Sequence, residues 1–475
     1  MNFRRGWSVF YSTPSSQANI DLSRHISGNP GVCLHRVKEN KPMKEIRIGL
    51  IGAGTVGGGV VKILANRTES IRRDLGLPIR LARIADKATE RFTTLPVGNA
   101  ICTGDANDIL NDPDIDIVIE LVGGTTFAKK LVLDALSKGK HVITANKALI
   151  AEFGSELFAC ADAHGVSLHF EAAVGGGMPV IKTIREALVG NNLFSVKTII
   201  NGTCNYILSK MSAQGLPFET VLAEAQKNGY AEANPALDIG GGDSGHKVAI
   251  MASLVSGGYV PFSSVAIEGI TSISQDDIAY ARELGYTIKL LGVIKKGNDD
   301  AALDVRVHPA MLPKNHILAS VSDVFNAVLL EGDAVGQILL YGKGAGDMPT
   351  GSAVMSDIVD VARNIAAETP IRISTAHYNA NRKVPVKAMD DLESRYYLRF
   401  TVQDSPGVLA AITSHLSSQG ISIASVIQKE EHPETGVPVI LLTHKAVEKN
   451  LRAALSAIEA MPSVMAPTQV IRIES

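Results

Sequence analysis

The sequence predicts an α/β chain of several domains, and three observations carry that reading. After residue 45 a short apolar strand runs into a glycine turn and a helix, and strands and helices then alternate to about residue 174. The final part, from about residue 395, reads as strand, helix, two strands, helix and strand. Between them, residues 225–247 crowd carboxylates, glycines and a lysine into one stretch. A chain of 475 residues suits two to four domains at roughly 150 residues each.

Residues 46–52, IRIGLIG, form a short buried strand by composition. They enter GAGTVG, which runs from Gly52 and Gly54 through Thr55 and Val56 to Gly57 and matches G-x-G-x-x-G. A helix follows in GGVVKILANRTESIRRDL, then a second strand, IRLARIAD, ending at Asp86. The glycine pattern alone is weak. Inside a βαβ unit closed by an acid, it predicts a Rossmann-type dinucleotide site. Gly52 permits the tight turn, Gly54 lets the backbone approach a pyrophosphate, and the helix start offers free N–H groups. Asp86 reads either as a turn residue or as the acceptor for an adenosine ribose 2′-hydroxyl. The second reading favours NAD over NADP, unless Lys87 or Arg91 compensates a 2′-phosphate.

Further strands are expected at 114–121, 140–146 and 166–174, with a helix in AKKLVLDALSKG. Ligands sit at the carboxyl ends of such strands, which places Gly123, Gly124 and Lys147 on the ligand side. The run Gly175 to Pro179 marks a boundary or hinge before a helix in PVIKTIREALVG. FSVKTIING (194–202) is a strand and TCNYILSKM a helix. Residues 342–356, GKGAGDMPTGSAVMS, form a glycine-rich turn leading into a helix, and 378–394 a charged linker. The last part, from YYLRFTVQD (396–404) to APTQVIRIE, completes βαββαβ.

The stretch 225–247 reads AQKNGYAEANPALDIGGGDSGHK. Glycines 240–242 stop a helix, and a new one should begin near Asp243, a good N-cap residue. Asp243 and Lys247 then share a helix face. With Glu232 and Asp238 they suit two readings: a solvated loop with a surface ion pair, or a site that orients a small zwitterion and moves a proton.

Composition narrows the partners. The net charge of -2 gives no bulk attraction to nucleic acid or an anionic membrane. No apolar run approaches the ~18 residues of a membrane span. Cys33, Cys102, Cys160 and Cys204 lie far apart, as reduced thiols of a cytoplasmic protein would. The leader before Met43 is rich in Arg, Ser and Asn. It reads as a disordered extension or as residues ahead of a true start at Met43, with a transit peptide as the other option.

The stretch 225–247 resembles the signature of homoserine dehydrogenase, in the form with a C-terminal ACT domain. Ala225, Gly229, Asn234-Pro235, Asp238, Gly240, Gly242, Asp243 and Lys247 each fall in place. The likeness runs from about Lys44 to Ser475. It implies an extension over 1–43, an NAD(P)-binding Rossmann domain over 44–175 and an α+β catalytic and dimerisation domain over 176–340. A return segment over 341–380 would pack on the nucleotide domain, with an ACT regulatory domain over 395–475. The implied reaction interconverts L-homoserine and L-aspartate 4-semialdehyde with NAD(P), on the route to threonine, methionine and isoleucine.

By this resemblance Lys247 and Lys147 flank the reacting oxygen, as proton donor or acceptor and its partner. Glu232 and Asp243 hold the substrate's amino group, supported by Asp238. Hydride arrival at an aldehyde carbon charges its oxygen, and a nearby cation stabilises that charge. The GAGTVG loop, Gly123, Lys147, Gly229 and Gly344 are implied cofactor contacts. A monovalent cation, usually sodium, is implied at Glu171, Val174, Gly176 and Met178, mainly through backbone oxygens. The turn Asp404-Ser405-Pro406-Gly407-Val408-Leu409 is implied to bind L-threonine, the other option being a purely structural or pairing module. A homodimer or homotetramer is implied. Ala85 stands where many members carry an Arg, which supports NAD use or use of both cofactors. Two other classes compete: another NAD(P)-dependent amino-acid dehydrogenase, and a non-catalytic amino-acid sensor.

Overall fold

The computed structural model describes residues 45–297, 302–368, 378–428 and 436–475. The N-terminal extension and Cys33 lie outside the described residues. The first sheet is parallel and six-stranded: β1 (Ile46–Ile51), β2 (Ile79–Ala85), β3 (Ile101–Thr103), β4 (Ile117–Glu120), β5 (His141–Thr144) and β6 (Leu168–His169). Its order, β3-β2-β1-β4-β5-β6, reverses direction between β1 and β4, which opens a crevice at their carboxyl ends. Ile46, Ile48 and Leu50 are fully buried on one face of β1, and Ile51 is buried on the other, so both faces of the strand are covered toward its carboxyl end.

The glycines explain the tight βα turn. Gly52 sits at φ 101, where a side chain is strained, and a Cβ there would lie 2.5 Å from the Leu121 carbonyl oxygen. A Cβ on Gly57 would lie 2.0 Å from the Gly52 carbonyl oxygen. The helix Thr55–Leu75 can therefore start only against bare backbone.

Two expectations change. The strand expected over 166–174 ends at His169, and Glu171–Ala173 coil into a 3-10 turn. The buried Glu171 carboxylate causes this bend by accepting the backbone N–H groups of Ile181 (2.9 Å) and Lys182 (2.8 Å). The short edge strand β3 was not foreseen, because three mostly exposed residues carry no periodic signal.

The second sheet has eleven strands. Following β7 (Leu193–Ile199), β8 (Gly258–Tyr259) and β9 (Ala266–Ile267) come β10 (Tyr286–Lys296), β11 (Leu303–Pro313), β12 (Phe325–Gly332) and β13 (Gly336–Lys343). After β14 (Asn379–Lys383), which pairs with β8, the C-terminal part supplies β15 (Glu393–Val402), β16 (Ile423–Gln428), β17 (Val437–Thr443), β18 (Ala446–Val447) and β19 (Val464–Ile473). The order is β13-β12-β7-β10-β11-β19-β15-β17-β16, with β9 joined to β11 and β18 to β15 off this path, while β8 and β14 form a separate two-stranded sheet. The C-terminal βαββαβ unit has its own core, built on Tyr396, Phe400, Ile412, Leu416, Leu451 and Ile458. Yet it shares a sheet with the central part. Strand β19 pairs in parallel with β11 at Ala310–Arg472 and Met311–Ile473, so each closes an edge that would otherwise stay open.

The helix Asp347–Ala366 returns to the first sheet and lies on the helix Thr55–Leu75. Contact is close enough that a Cβ on Gly59 would meet the Asp347 carbonyl oxygen at 2.1 Å. Lys62 and Asp347 pair across it at 3.1 Å. Among the described residues no helix is long and apolar enough to cross a membrane.

Candidate active site

A cleft of about 600 Å³ opens at the carboxyl ends of β1, β2 and β4, lined among others by Gly52, Gly54, Asp86, Arg91, Gly123 and Phe127. No side chain caps the helix that starts at Thr55, so its first-turn N–H groups remain available to an anion. Thr55 is exposed and Val56 half-buried beside them. The Asp86 carboxylate accepts the N–H of Ala53 (2.6 Å) and of Ala88 (2.8 Å) and pairs with Arg91 (3.0 Å). Burial pushes its carboxyl up, but these donors and the guanidinium outweigh it and hold it below the usual value. Gly123 and Gly124 follow β4 at φ 74 and 69.

One residue that the sequence reading missed organises this rim. Glu120, fully buried at the end of β4, accepts the Thr144 hydroxyl (2.6 Å) and the Val122 N–H (2.8 Å). Burial pushes its carboxyl up. The one available signal was an acid closing an apolar strand, IVIE. Next to it, Asn146 caps the helix Lys147–Ala163 by accepting the Leu149 N–H (3.1 Å), and its amide donates to the Gly124 carbonyl (2.6 Å). Lys147 is thereby the first helical residue, aimed from the edge of the nucleotide sheet.

Lys147 points at the stretch 225–247. Its Nζ lies 3.2 Å from Asp243 Oδ1, while Lys247 Nζ lies 2.6 Å from Asp243 Oδ2 and donates to the Ile200 carbonyl at 2.8 Å. One carboxylate thus touches both ammonium groups. Asn201, also missed from sequence, donates to Asp243 Oδ2 (2.8 Å) and Asp238 Oδ1 (2.7 Å), and its own oxygen caps the helix Gly202–Gln214. Its signal was an Asn-Gly pair between strand and helix.

Asp243 is not the N-cap. Gly241, at φ 84, takes that place, and the helix runs Gly242–Ser256. A left-handed turn is open to glycine, so the N-cap falls two residues early and the helix carries Asp243 into its buried first turn. The positive end of the helix favours a carboxylate there. Burial pushes the Asp243 carboxyl up, but Lys247 and Lys147 outweigh it and hold it well below the usual range. Burial and the neighbouring Asp243 charge push Asp238 up. Burial raises the Cys204 thiol far above its ordinary value, so it is no nucleophile. His246 stacks on Phe262 at 4.1 Å, and its Nε2 lies 3.4 Å from Glu152, which ties together the two helices that carry the lysines.

Residues 179–359 match the homoserine dehydrogenase family, 52–171 the NAD-binding domain of homoserine dehydrogenase and 396–462 the ACT domain. The homoserine dehydrogenases of Neisseria gonorrhoeae and Pseudomonas aeruginosa are each 44% identical to this chain, covering 91% of it and 99% of their own length. The chain belongs to the homoserine dehydrogenase family. A crystal structure of a homoserine dehydrogenase from Thiobacillus denitrificans superposes with a TM-score of 0.85 at 43% identity, over 91% of this chain and 99% of that one.

The other expected positions of this homoserine dehydrogenase are not all gathered at the lysines. Glu232 is exposed, and its side chain joins none of the hydrogen bonds just described. The turn around it faces outward until Asn234 accepts the Ala236 N–H (3.2 Å) and the short helix Ala236–Ile239 brings Asp238 back inside. Gly229 closes the helix Phe218–Lys227 at φ 73, in open space. Gly344 sits elsewhere: a Cβ on Gly176 would lie 2.5 Å from its carbonyl carbon, and Gly177 donates to the Lys343 carbonyl (3.1 Å). The loop holding Glu171, Val174, Gly176 and Met178 is thus packed against the glycine-rich loop before the return helix. In the ACT unit, Asp404 and Gly407 are exposed, and Gly407 at φ 93 starts the helix Val408–Ser418 over buried Val408 and half-buried Leu409. Cys102, Cys160 and Cys204 are free thiols.

Proposed function

We propose that this homoserine dehydrogenase interconverts L-homoserine and L-aspartate 4-semialdehyde with NAD or NADP, as a step toward threonine, methionine and isoleucine. The observation that carries the reading is the pair of lysine ammonium groups on one buried carboxylate, at the carboxyl edge of a nucleotide-binding sheet. The dinucleotide, when bound, exchanges a hydride with the substrate carbon. The chain's own groups handle the rest. Lys247 gives a proton to the oxygen as the aldehyde is reduced and takes it back in the reverse direction, with Lys147 stabilising the oxygen's charge. Asp243 and Asp238 face the substrate's ammonium group, and Glu232 closes on it from the rim. Gly52, Gly54, Gly57 and Gly123 lie against the dinucleotide, with Gly229 and Gly344 as its further contacts.

Asp86 suits a ribose hydroxyl, while Arg91 beside it suits a 2′-phosphate, so both cofactors are expected to work and NAD to work better. Homoserine-dependent formation of NADH and NADPH tests this: absence of both signals would end the assignment, and a stronger NADPH signal would overturn the preference for NAD. In Arg91→Ala, kcat/KM with NADP is expected to fall about tenfold, the size of one charge-assisted hydrogen bond of roughly 1.5 kcal/mol, while that with NAD changes less than about threefold. The turn Asp404–Leu409 is read as the threonine site, so the same assay with threonine present is expected to report inhibition. A homodimer or homotetramer is the expected assembly.

A sodium ion is placed at the loop of Glu171, Val174, Gly176 and Met178. The loop suits one, because Gly175 and Gly176 at φ 79 and 55 turn it tightly and the Glu171 carboxylate is already engaged with backbone donors, which leaves carbonyl oxygens for a hard cation. Burial, and then the Asp357 charge, push the Glu171 carboxyl up to about 8. A raised carboxyl favours the fold fully below its ordinary value of 4.5, and that contribution is lost as pH rises through about 8. The loss runs at about 1.4 kcal/mol per pH unit within the window. A cation nearby offsets it. Sodium is therefore expected to raise the melting temperature more at about pH 9 than at about pH 6. Equal effects at both would remove the ion from this loop.

A further inference from the structure

We infer that Glu268 and Arg472 form a positioning strut through which the C-terminal unit sets the backbone of the turn between Asp238 and Asp243; this rests on the reading above that the turn receives the substrate's amino end. Arg472 lies on β19 and is only 3% exposed. Its guanidinium forks onto Glu268, with Nη1 at 2.6 Å from Oε2 and Nη2 at 3.0 Å from Oε1. On its other side it is fixed by Glu448, with Nε at 3.1 Å and Nη2 at 2.6 Å. Glu448 opens the last helix of the C-terminal unit and also accepts the Tyr396 hydroxyl at 2.9 Å. A two-pronged Arg–carboxylate pair fixes direction as well as distance.

Glu268 stands at the end of β9, and its N–H donates to the Val307 carbonyl of β11 at 2.8 Å. The residues after it carry the active-site turn directly. A Cβ on Gly269 would lie 2.2 Å from the Ile239 carbonyl oxygen and 2.7 Å from Gly240 Cα. Ile270 donates its N–H to the same Ile239 carbonyl at 2.8 Å. Gly241 lies back on Ile267 and on the Glu268 carbonyl, where a Cβ would meet them at 3.0 and 3.3 Å. At Gly269 backbone therefore rests on backbone, with no flexible side chain between to absorb a displacement, while Gly241 also leans on the Ile267 side chain. From Asp238 the contacts pass through Asn201 to Asp243 and both lysines. Along this route the C-terminal unit reaches the reacting groups through an ion pair and a bare-backbone contact.

The test compares steady-state kinetics of the full chain and its variants. Glu268→Gln leaves Arg472 paired with Glu448, so the C-terminal unit keeps its own anchor. It is expected to raise the KM for homoserine about fivefold, within the range for members of one ion-pair network, while kcat, the KM for NAD and the melting temperature hold. Arg472→Lys, which keeps charge but loses the fork, is expected to act in the same direction, and the double variant to be no worse than the stronger single. Gly269→Ala, which pushes the turn itself, is expected to raise the homoserine KM further. A merely structural role would lower the melting temperature or the active fraction and leave the homoserine KM alone; that result overturns the strut, as does an equal rise in the KM for NAD. Asp243→Asn is measured alongside. If it raises the homoserine KM and Glu268→Gln does not, the strut fails alone; if Asp243→Asn leaves that KM unchanged, the reading of the turn fails with it.

Discussion

Lys247→Ala is expected to lower kcat by about a thousandfold or more, with NAD(H) affinity within about twofold. Proton transfer by a positioned side chain is worth about a hundred- to ten-thousandfold, and a donor aimed at developing oxygen charge about as much again. Lys247 is placed to provide both. Its ammonium is held between the Ile200 carbonyl and Asp243, so no other described group stands in the same place. The dinucleotide cleft is lined by other residues, so cofactor affinity has no reason to move. The fold should also survive. Removal of one member of a buried pair costs about 3–5 kcal/mol when the other charge is stranded. Here Asp243 keeps Lys147 and Asn201, so the loss is smaller. Saturating-homoserine turnover and NADH binding by fluorescence separate these effects. A kcat within about tenfold of the unaltered enzyme would take Lys247 out of the chemistry.

The nucleotide-binding unit was legible because its signals are local. Strand, glycine turn, helix and terminal acid follow one another within one βαβ unit, and steric limits at Gly52 and Gly57 leave little choice of geometry. The βαββαβ unit was legible for the same reason. That Asp243 and Lys247 share a helix face followed from their spacing alone. What escaped depends on partners distant in sequence. Asn201 reads as the end of an ordinary strand until the folded chain sets it between Asp238 and Asp243. Glu268 has no meaning until β19 brings Arg472 beside it. The shared sheet was hidden likewise, because an edge strand carries no mark of which edge it will join. Asp243 was placed two steps wrong because either an Asp or a left-handed glycine can start a helix, and the run of three glycines left the choice to tertiary packing.

Asp243→Asn is the second large effect expected. The substitution keeps shape but replaces two charged acceptor oxygens with one neutral oxygen and an NH₂ group. Lys147 and Lys247 each use a separate oxygen, so one ammonium group loses its partner and the two repel. The site also loses the negative charge proposed to face the substrate's ammonium. The homoserine KM is expected to rise about a hundredfold, the size of about 3 kcal/mol, with a fall in kcat on top of it. The stability effect has a definite sign with pH. Because the two lysines hold the Asp243 carboxyl below its ordinary value of 3.8, its contribution is fully present above that value and is lost as pH falls through the lowered one. The unaltered enzyme should therefore outlast Asp243→Asn in urea by a constant margin at neutral pH, with the margin narrowing only in strong acid. Glu232 distinguishes the two jobs given to Asp243. It is exposed and takes no part in the bonds that hold the lysines, so Glu232→Gln should weaken homoserine binding far less and leave kcat and stability alone. An Asp243→Asn enzyme with an ordinary homoserine KM would mean that the carboxylate only holds the lysines in place, and that the substrate's amino end is gripped elsewhere.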